Sequence, residues 1–367
     1  MTTPTMDSTP EEIEGLGDSE EASWGEYPID TVLIRTEART VFDILRRIEM
    51  GSFVMDPDFQ RDFIWSREVQ SKLIESVLMR IPLPVFYLAE DPDGRMVVVD
   101  GLQRLSTFQR FHKGDLKLKL PGQSELDNKR FADLSPKLQN RVEDCNLTLY
   151  IIDAKVPDRA RLDIFERVNS GVPLTRQQMR NCLYNGKATR FLREEAGTEV
   201  FLKATGNSLR SSTMRDREFV NRFCAFQLLS LDDYKQDMDE FLASALRKMN
   251  KLPDAELDQL SAQFRRSLAN NFTVFGKHAF RKHTNPDDSR SVLNASLWDV
   301  MSTGLSQHCE SVVEAKASNL RAAFYPLMAD VDFVGSITYG PNSTSQVKHR
   351  FAVAQQLFSG VFDADPT

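Results

Sequence analysis

The apolar residues of this 367-residue chain follow two different spacings, one before and one after about residue 155. In the first part, short apolar runs typical of strands occur among helical spacings and turn residues. From Pro157 onward the signals are almost entirely those of amphipathic helices. We therefore expect an α+β fold, with a mixed module over residues 28–155 and an α-helical module over residues 156–362.

Local signals predict the elements of the mixed module. Two strands are expected over residues 84–90 and 95–99, joined by Asp91-Pro-Asp-Gly94, because Pro fixes φ and Gly accepts a positive φ. Further strands are expected over residues 116–120 and 147–152. Helices are expected over residues 40–50 with Thr40 as N-cap, from Ser66 to Ile81, and over residues 102–111.

In the helical module, Thr175-x-x-Gln178 predicts a capping box at the start of a helix. Long amphipathic runs follow near residues 216–231, 237–249, 255–270, 292–308 and 346–359. The four cysteines, which show no metal-ligand spacing, are interpreted as buried thiols: Cys145, Cys182, Cys224 and Cys309.

The charge of the chain is unevenly distributed. The first 26 residues carry eight acidic residues and no Lys or Arg, and without them the chain has 46 basic and 45 acidic residues. Because so polar a segment buries too little surface to offset its ordering entropy, residues 1–27 are predicted to be a disordered acidic tail. An alternative is that the tail mimics nucleic acid and occupies a basic groove of the same molecule.

No apolar stretch of the sequence reaches the roughly 18–20 residues of a membrane-spanning helix. The N-terminus also lacks the basic-then-apolar order of a signal peptide. A cytoplasmic protein without a membrane partner is therefore expected.

Three polar clusters interrupt the apolar sequence: Phe59-Gln60-Arg61-Asp62, Asp100-Gly-Leu-Gln103-Arg104 and Phe165-Glu-Arg167-Val-Asn169-Ser-Gly171. A guanidinium beside core strands must be paired, and phosphate or carboxylate oxygens fit its planar fork best. Each cluster also has a purely structural interpretation. Arg61 can pair with Asp62, Arg104 can pair with Asp100, and the third cluster can be a simple helix end.

The second cluster has the most specific geometry. A strand that runs through Gly101 into a helix leaves free backbone N–H groups at the start of that helix, which suits phosphate. A separate stretch, residues 259–286, contains no acidic residue and mixes phenylalanines with the cations Arg265, Arg266, Lys277, Arg281 and Lys282. Cations interleaved with aromatic residues suit binding of a nucleic-acid backbone, so this stretch is a candidate DNA-binding segment. Phenylalanines at helical spacing are, however, more often core residues.

Several motifs together resemble a known family. They are Phe59-Gln-Arg-Asp-Phe-Ile-Trp65, Lys72-Leu-Ile-Glu-Ser76, Ile81-Pro-Leu-Pro84, Val99-Asp-Gly-Leu-Gln-Arg-Leu-Ser-Thr107 and Phe165-Glu-Arg-Val-Asn-Ser-Gly171, followed by Arg217–Arg222, Phe275–Lys282 and Val347–Phe351. In order and spacing they are similar to the family with the signature Asp-Gly-Gln-Gln-Arg, which forms the N-terminal domain of GmrSD-type Type IV restriction systems. The resemblance covers about residues 28–360.

The resemblance implies a ParB/sulfiredoxin-like fold that binds a nucleoside triphosphate, and members are described as NTPases that gate or drive a nuclease. It assigns the catalytic site to Asp100, Gln103 and Arg104. The chemistry of these residues agrees, because Arg104 and Arg61 could neutralise phosphate charge and Asp100 could hold magnesium through water or orient a water molecule. The resemblance assigns nucleotide binding to Gln60, Arg61, Gly101, Arg167 and Asn169.

One departure concerns hydrolysis. Leu102 stands where the family has its first Gln, so an amide that could position water is missing. We therefore expect a nucleotide-binding regulatory protein or slow NTPase of prokaryotic defence, acting with a separate nuclease subunit or on DNA. Two alternatives remain: a nucleotide-switched DNA-binding protein that does not hydrolyse, and a weak ParB-like nuclease.

Overall fold

The computed structural model describes residues 13–16, 33–55, 65–91, 93–156, 158–168 and 175–363. The chain forms two compact units. Glu26–Leu183 make up the first, called the sheet unit here, and Met1–Gly25 with Tyr184–Thr367 make up the second, called the helical unit.

The sheet unit contains five strands and six helices among its described residues. The strands are β2 (Ile34–Thr40), β3 (Phe53–Val54), β4 (Phe86–Glu90), β5 (Met96–Asp100) and β6 (Asn146–Ile152). The helices are α1 (Val41–Glu49), α2 (Arg67–Leu78), α3 (Leu102–His112), α4 (Pro136–Glu143), α5 (Asp158–Val168) and α6 (Arg176–Leu183).

The five strands form one mixed sheet in the order β2-β6-β4-β5-β3. Strand β4 lies in its centre, antiparallel to β5 and parallel to β6. Burial is almost complete at the middle of this sheet, where Phe86, Leu88, Leu149 and Ile151 are fully enclosed. The α+β fold class is confirmed.

The predicted helix starts are confirmed by their caps. The Thr40 hydroxyl accepts a hydrogen bond from the N–H of Asp43 at 3.2 Å, and Ser66 accepts one from Val69 at 3.4 Å. At the start of α6, Thr175 and Gln178 form the reciprocal bonds of a capping box, at 2.7 and 3.2 Å.

Two local predictions in the sheet unit are wrong. Residues 116–120 bury alternate leucines but form no strand, because the N–H of Lys119 donates to the Ser71 hydroxyl rather than to a neighbouring strand. Helix α2 ends at Leu78 instead of continuing to Ile81. Its buried face is formed by Leu73, Ile74, Val77 and Leu78, which leaves Ile81 exposed.

The boundary between the units lies at Leu183, whereas the sequence placed it near residue 155. Helices α5 and α6 both pack on strand β5, and Arg161 of α5 donates to the Glu90 carbonyl at 2.6 Å. These contacts fix both helices to the sheet, although their sequence spacing is the same as that of the helices that follow.

The helical unit contains nine described helices and two short strands. The strands are β1 (Ile13–Glu14) and β7 (Leu293–Asn294). The helices are α7 (Lys187–Ala196), α8 (Glu199–Thr205), α9 (Arg215–Leu228), α10 (Met238–Met249), α11 (Asp254–Phe275), α12 (Ala295–Leu305), α13 (Glu310–Ala329), α14 (Val331–Ser336) and α15 (Thr344–Phe362).

A buried ion cluster joins three of these helices. The Arg222 guanidinium of α9 binds both carboxylate oxygens of Asp299 on α12, at 2.8 and 2.6 Å. Arg350 of α15 donates to the same carboxylate at 3.0 Å, and all three side chains are at most 1% exposed. Burial lowers the pKa of Arg350, which shares this carboxylate with Arg222. Arg222 and Arg350 belong to motifs of the family resemblance, so these motifs have a structural role.

Part of the segment predicted to be a disordered tail is ordered. Strand β1 pairs in parallel with β7, and the Gly15 carbonyl accepts a hydrogen bond from Ser296 at 3.2 Å. Gly15 has φ +72°, and a Cβ there would come within 2.8 Å of Asn294 Oδ1. The structure therefore corrects the prediction of disorder for residues 13–16. The other residues of the segment 1–27 lie outside the described residues.

The cysteines do not all follow their prediction. Cys182 and Cys224 are buried, Cys145 is half-buried and Cys309 is exposed.

Among the described residues, no helix combines the length and the apolar character needed to span a membrane.

Candidate functional site

The turn from β5 into α3 has the geometry that the sequence predicts. Strand β5 ends at Asp100, and Gly101 is the N-cap of α3 with φ +102°. Among the described residues no side chain caps this helix, so the N–H groups of its first turn are available to a ligand. A helix N-terminus of this kind attracts anions, because its N–H groups and the helix dipole both favour negative charge.

Gly101 is required by the fold itself. A Cβ at this position would come within 2.3 Å of Cδ1 of Phe86, a fully buried ring of β4. The left-handed φ also disfavours any other residue. A core phenylalanine therefore makes the close approach to this glycine.

Arg104 is held inside the protein. Its guanidinium donates to the carbonyls of Pro84 and Val85 at 2.5 and 3.1 Å, and to Oδ2 of Asp100 at 2.5 Å. It also lies over the Phe86 ring, 4.2 Å from the centroid. Burial lowers the pKa of Arg104, and the Asp100 carboxylate partly offsets this effect. The guanidinium of Arg104 therefore has internal acceptors and positions the turn, and its contact with phosphate stays a prediction.

Asp100 is a weak candidate for a metal ligand. Its Oδ2 atom is bound to Arg104, and its side chain is 33% exposed. Among the described residues, no three His, Cys, Asp or Glu side chains come together. Magnesium is usually held by one or two carboxylates that are free to bind it, so these residues do not fit the ion well and no step is assigned to it.

Gln103 is the polar side chain of this turn that remains available. It is half-buried on the first turn of α3, and within the described structure its buried Oε1 atom has no hydrogen-bond partner. Leu102, beside it, packs against the core of the sheet unit. Within the part of the chain that the structure describes, the turn therefore offers first-turn N–H groups and one amide, but no group placed to activate water.

Residues 41–185 match the family model described as the GmrSD restriction endonuclease, N-terminal domain. They form a GmrSD N-terminal domain. Their range nearly coincides with the part of the sheet unit that begins at α1. The comparisons with curated proteins and with solved structures return no match to the chain, so the ParB/sulfiredoxin likeness stays a prediction. The GmrSD domain associates the protein with restriction of foreign DNA.

Other site residues expected of the GmrSD domain cannot be placed at the turn. Gln60, Arg61 and Asn169 lie outside the described residues. Arg167 is exposed near the end of α5. Of the predicted site residues that the structure describes, Asp100, Gly101, Gln103 and Arg104 lie together at the turn. They do so because they are adjacent in the sequence.

Helix α6 of the GmrSD domain carries a buried polar group that the sequence analysis missed. Gln177 donates to Asn181 at 2.8 Å and accepts from Nε of Arg180 at 3.0 Å, and all three residues are at most 1% exposed. Helix α6 packs on β5, the strand that leads to Asp100. The signal was available in the sequence, since positions 177, 180 and 181 share one face of a helix.

Outside the GmrSD domain, the acid-free stretch does not form one exposed basic surface. Arg281 is buried, donates to the carbonyls of Thr205 and Ser291 at 2.8 and 2.5 Å, and has a pKa lowered to about 10 by burial. Arg265 forms a bidentate pair with Glu195.

The other three cations of this stretch differ in their partners and in their exposure. Arg266 donates to the Ser306 carbonyl at 2.7 and 3.0 Å. Lys282 pairs with Glu14 of the N-terminal segment at 2.8 Å, and Lys277 is exposed, with no partner among the described residues. Phe264, Phe275 and Phe280 are buried, which confirms the core interpretation of these phenylalanines.

Proposed function

We propose that the GmrSD domain of this chain is a nucleotide-binding regulatory module of a restriction system. One observation carries the proposal: a helix N-terminus follows Gly101 beside the amide oxygen of Gln103, and neither has a side-chain partner among the described residues. The first-turn N–H groups would bind phosphate oxygens, and the amide of Gln103, which has both donors and an acceptor, would bind a second polar group of the nucleotide.

Binding without rapid hydrolysis fits this site best. Phosphoryl transfer depends on cations that stabilise the developing charge and on a group that orients the nucleophile. Arg104 and Asp100 bind each other, and Leu102 packs in the core. The nucleotide would therefore act as a ligand that shifts a conformational equilibrium, while a separate nuclease subunit acts on the DNA.

Gln103→Ala should weaken the binding of a nucleoside triphosphate roughly 10- to 100-fold, because the side-chain N–H of Gln103 would donate to a charged phosphate oxygen and such a bond is worth roughly 1.5–3 kcal/mol. Its melting temperature should stay close to that of the wild type, since the lost amide oxygen has no hydrogen-bond partner among the residues that the structure describes. Titration calorimetry with ATP and GTP, together with a thermal melt, measures both effects.

Gln109→Ala is the matched control. Gln109 lies two turns further along α3 and is also half-buried, so it should bind the triphosphate like the wild type. Equal affinity for the wild type and Gln103→Ala would contradict a phosphate site at this turn.

A further inference from the structure

A groove of 470 Å³ lies on the sheet unit, and its lining residues do not include those of the turn at Gly101. It runs between the C-terminal end of α2, the segment that follows it, α4 and the first residue of β6. Its charged lining consists of Arg80, Lys137, Arg141 and Asp144. The groove thus has three cations and one acid.

Arg80 has an unusual backbone conformation at the end of α2. The N–H of Ile81 donates to the Ser76 carbonyl and that of Arg80 to the Val77 carbonyl, both at 2.9 Å. This is the hydrogen-bond pattern of a Schellman motif, which normally has glycine at the position of Arg80 because the residue must be left-handed. Arg80 has φ +60°. Because a left-handed backbone disfavours residues other than glycine, an arginine at this position indicates that its side chain has a function.

The cations of the groove are not neutralised by the protein. Within the described part of the chain, the side chains of Arg80 and Lys137 have no hydrogen-bond or ion-pair partner, and both residues are exposed. Arg141 is held in place by a bond to the Leu78 carbonyl at 2.9 Å. Asp144, the one acid, is itself exposed at the groove. The groove therefore presents an excess of positive charge to a ligand.

The uncharged lining suits a phosphodiester better than a free anion. Asn140 and Asn146 add amide groups that can bind phosphate or sugar oxygens, and Ile81 and Pro82 provide an apolar wall. By contrast, most cations of the acid-free stretch 259–286 already have protein acceptors.

We infer that this groove binds the phosphate backbone of DNA, through Arg80 and Lys137. The inference rests on the proposed function in one respect, namely that the protein works in a system that acts on DNA. It does not depend on the nucleotide site at Gly101.

Arg80→Gly separates binding from folding. Glycine is the preferred residue for the left-handed position, so this variant should melt at the same temperature as the wild type or higher. Its affinity for a DNA duplex should fall about 5–10-fold. The slope of log affinity against log salt should decrease by about 0.9, the contribution of one phosphate contact. Lys137→Ala should produce a similar loss. Fluorescence anisotropy over a salt series, with the full-length protein, measures these quantities.

Asn128→Gly is the matched control, because Asn128 also has a left-handed backbone, with φ +59°, and does not line the groove. It should bind DNA like the wild type. Unchanged DNA affinity in both Arg80→Gly and Lys137→Ala would overturn the inference, as would absence of DNA binding by the wild type at low salt. A loss of ATP affinity in Arg80→Gly would also overturn it, because the groove would then bind free nucleotide. The Gln103 titration decides the proposed nucleotide site independently of all these results.

Discussion

Replacing Asp299 by asparagine is expected to lower the free energy of unfolding by about 3–5 kcal/mol, the usual effect of removing one partner from a buried ion pair. Arg222 and Arg350 are at most 1% exposed and share this single carboxylate. Without its charge, two buried guanidinium groups would lose the carboxylate that binds them both. Urea unfolding followed by far-ultraviolet circular dichroism measures the change.

Asp232→Asn provides the control for the loss of one carboxylate in the same unit. Asp232 pairs with Lys348 at 2.9 Å, but its side chain is 86% exposed, so its pair should contribute less than about 1 kcal/mol. A loss in Asp299→Asn as small as that in Asp232→Asn would contradict a stabilising role for the buried cluster.

Arg104→Ala is expected to lower the free energy of unfolding by about 2–4 kcal/mol. It removes two hydrogen bonds to the carbonyls of Pro84 and Val85 and takes away the guanidinium that pairs with the Asp100 carboxylate at the end of β5. The same urea titration measures this change.

Lys113→Ala is the control, because Lys113 is an exposed cation at the other end of α3 and should change stability little. An Arg104→Ala protein that is as stable as the wild type but binds nucleotide less tightly would return Arg104 to the phosphates.

Much of the fold could be predicted from local sequence signals. Thr40, Ser66 and the Thr175–Gln178 pair cap helices as predicted, because a capping bond spans only three residues. The long amphipathic runs of the second module are helices, and α11 even extends to Phe275. Helix α13, which has a weaker apolar pattern and contains Pro326 in its last turn, was missed.

Features that depend on distant partners could not be predicted. Residues 116–120 have the alternation of a strand, but Ser71 and Lys129 provide their hydrogen-bond partners. Residues 13–16 contain two apolar residues within an acidic segment, too few to predict a strand, yet β7 offers them a strand partner about 280 residues away. Neither partner leaves a trace in the local pattern.

The candidate site was likewise predictable only where it depends on local residue types. The sequence located the strand–glycine–helix turn, since the residue types at that turn are specific. It left open whether Arg104 faces a phosphate or Asp100, because the deciding acceptors, the carbonyls of Pro84 and Val85, belong to every peptide bond and are invisible in the sequence. For the same reason, the sequence wrongly predicted that Arg281 lies on a DNA-binding surface, since its acceptors are mainly backbone carbonyls.

Hydrogen exchange at the start of α3 tests the nucleotide site most directly. Mass spectrometry of peptides that cover residues 99–105 would compare the protein with and without a saturating nucleoside triphosphate. If phosphate oxygens accept from the first-turn N–H groups, exchange of the amides of Leu102, Gln103 and Arg104 should slow at least several-fold, while the segment that contains Asn128 stays unchanged. Unaltered exchange at these amides, under conditions in which calorimetry shows that nucleotide is bound, would contradict a phosphate site at this turn.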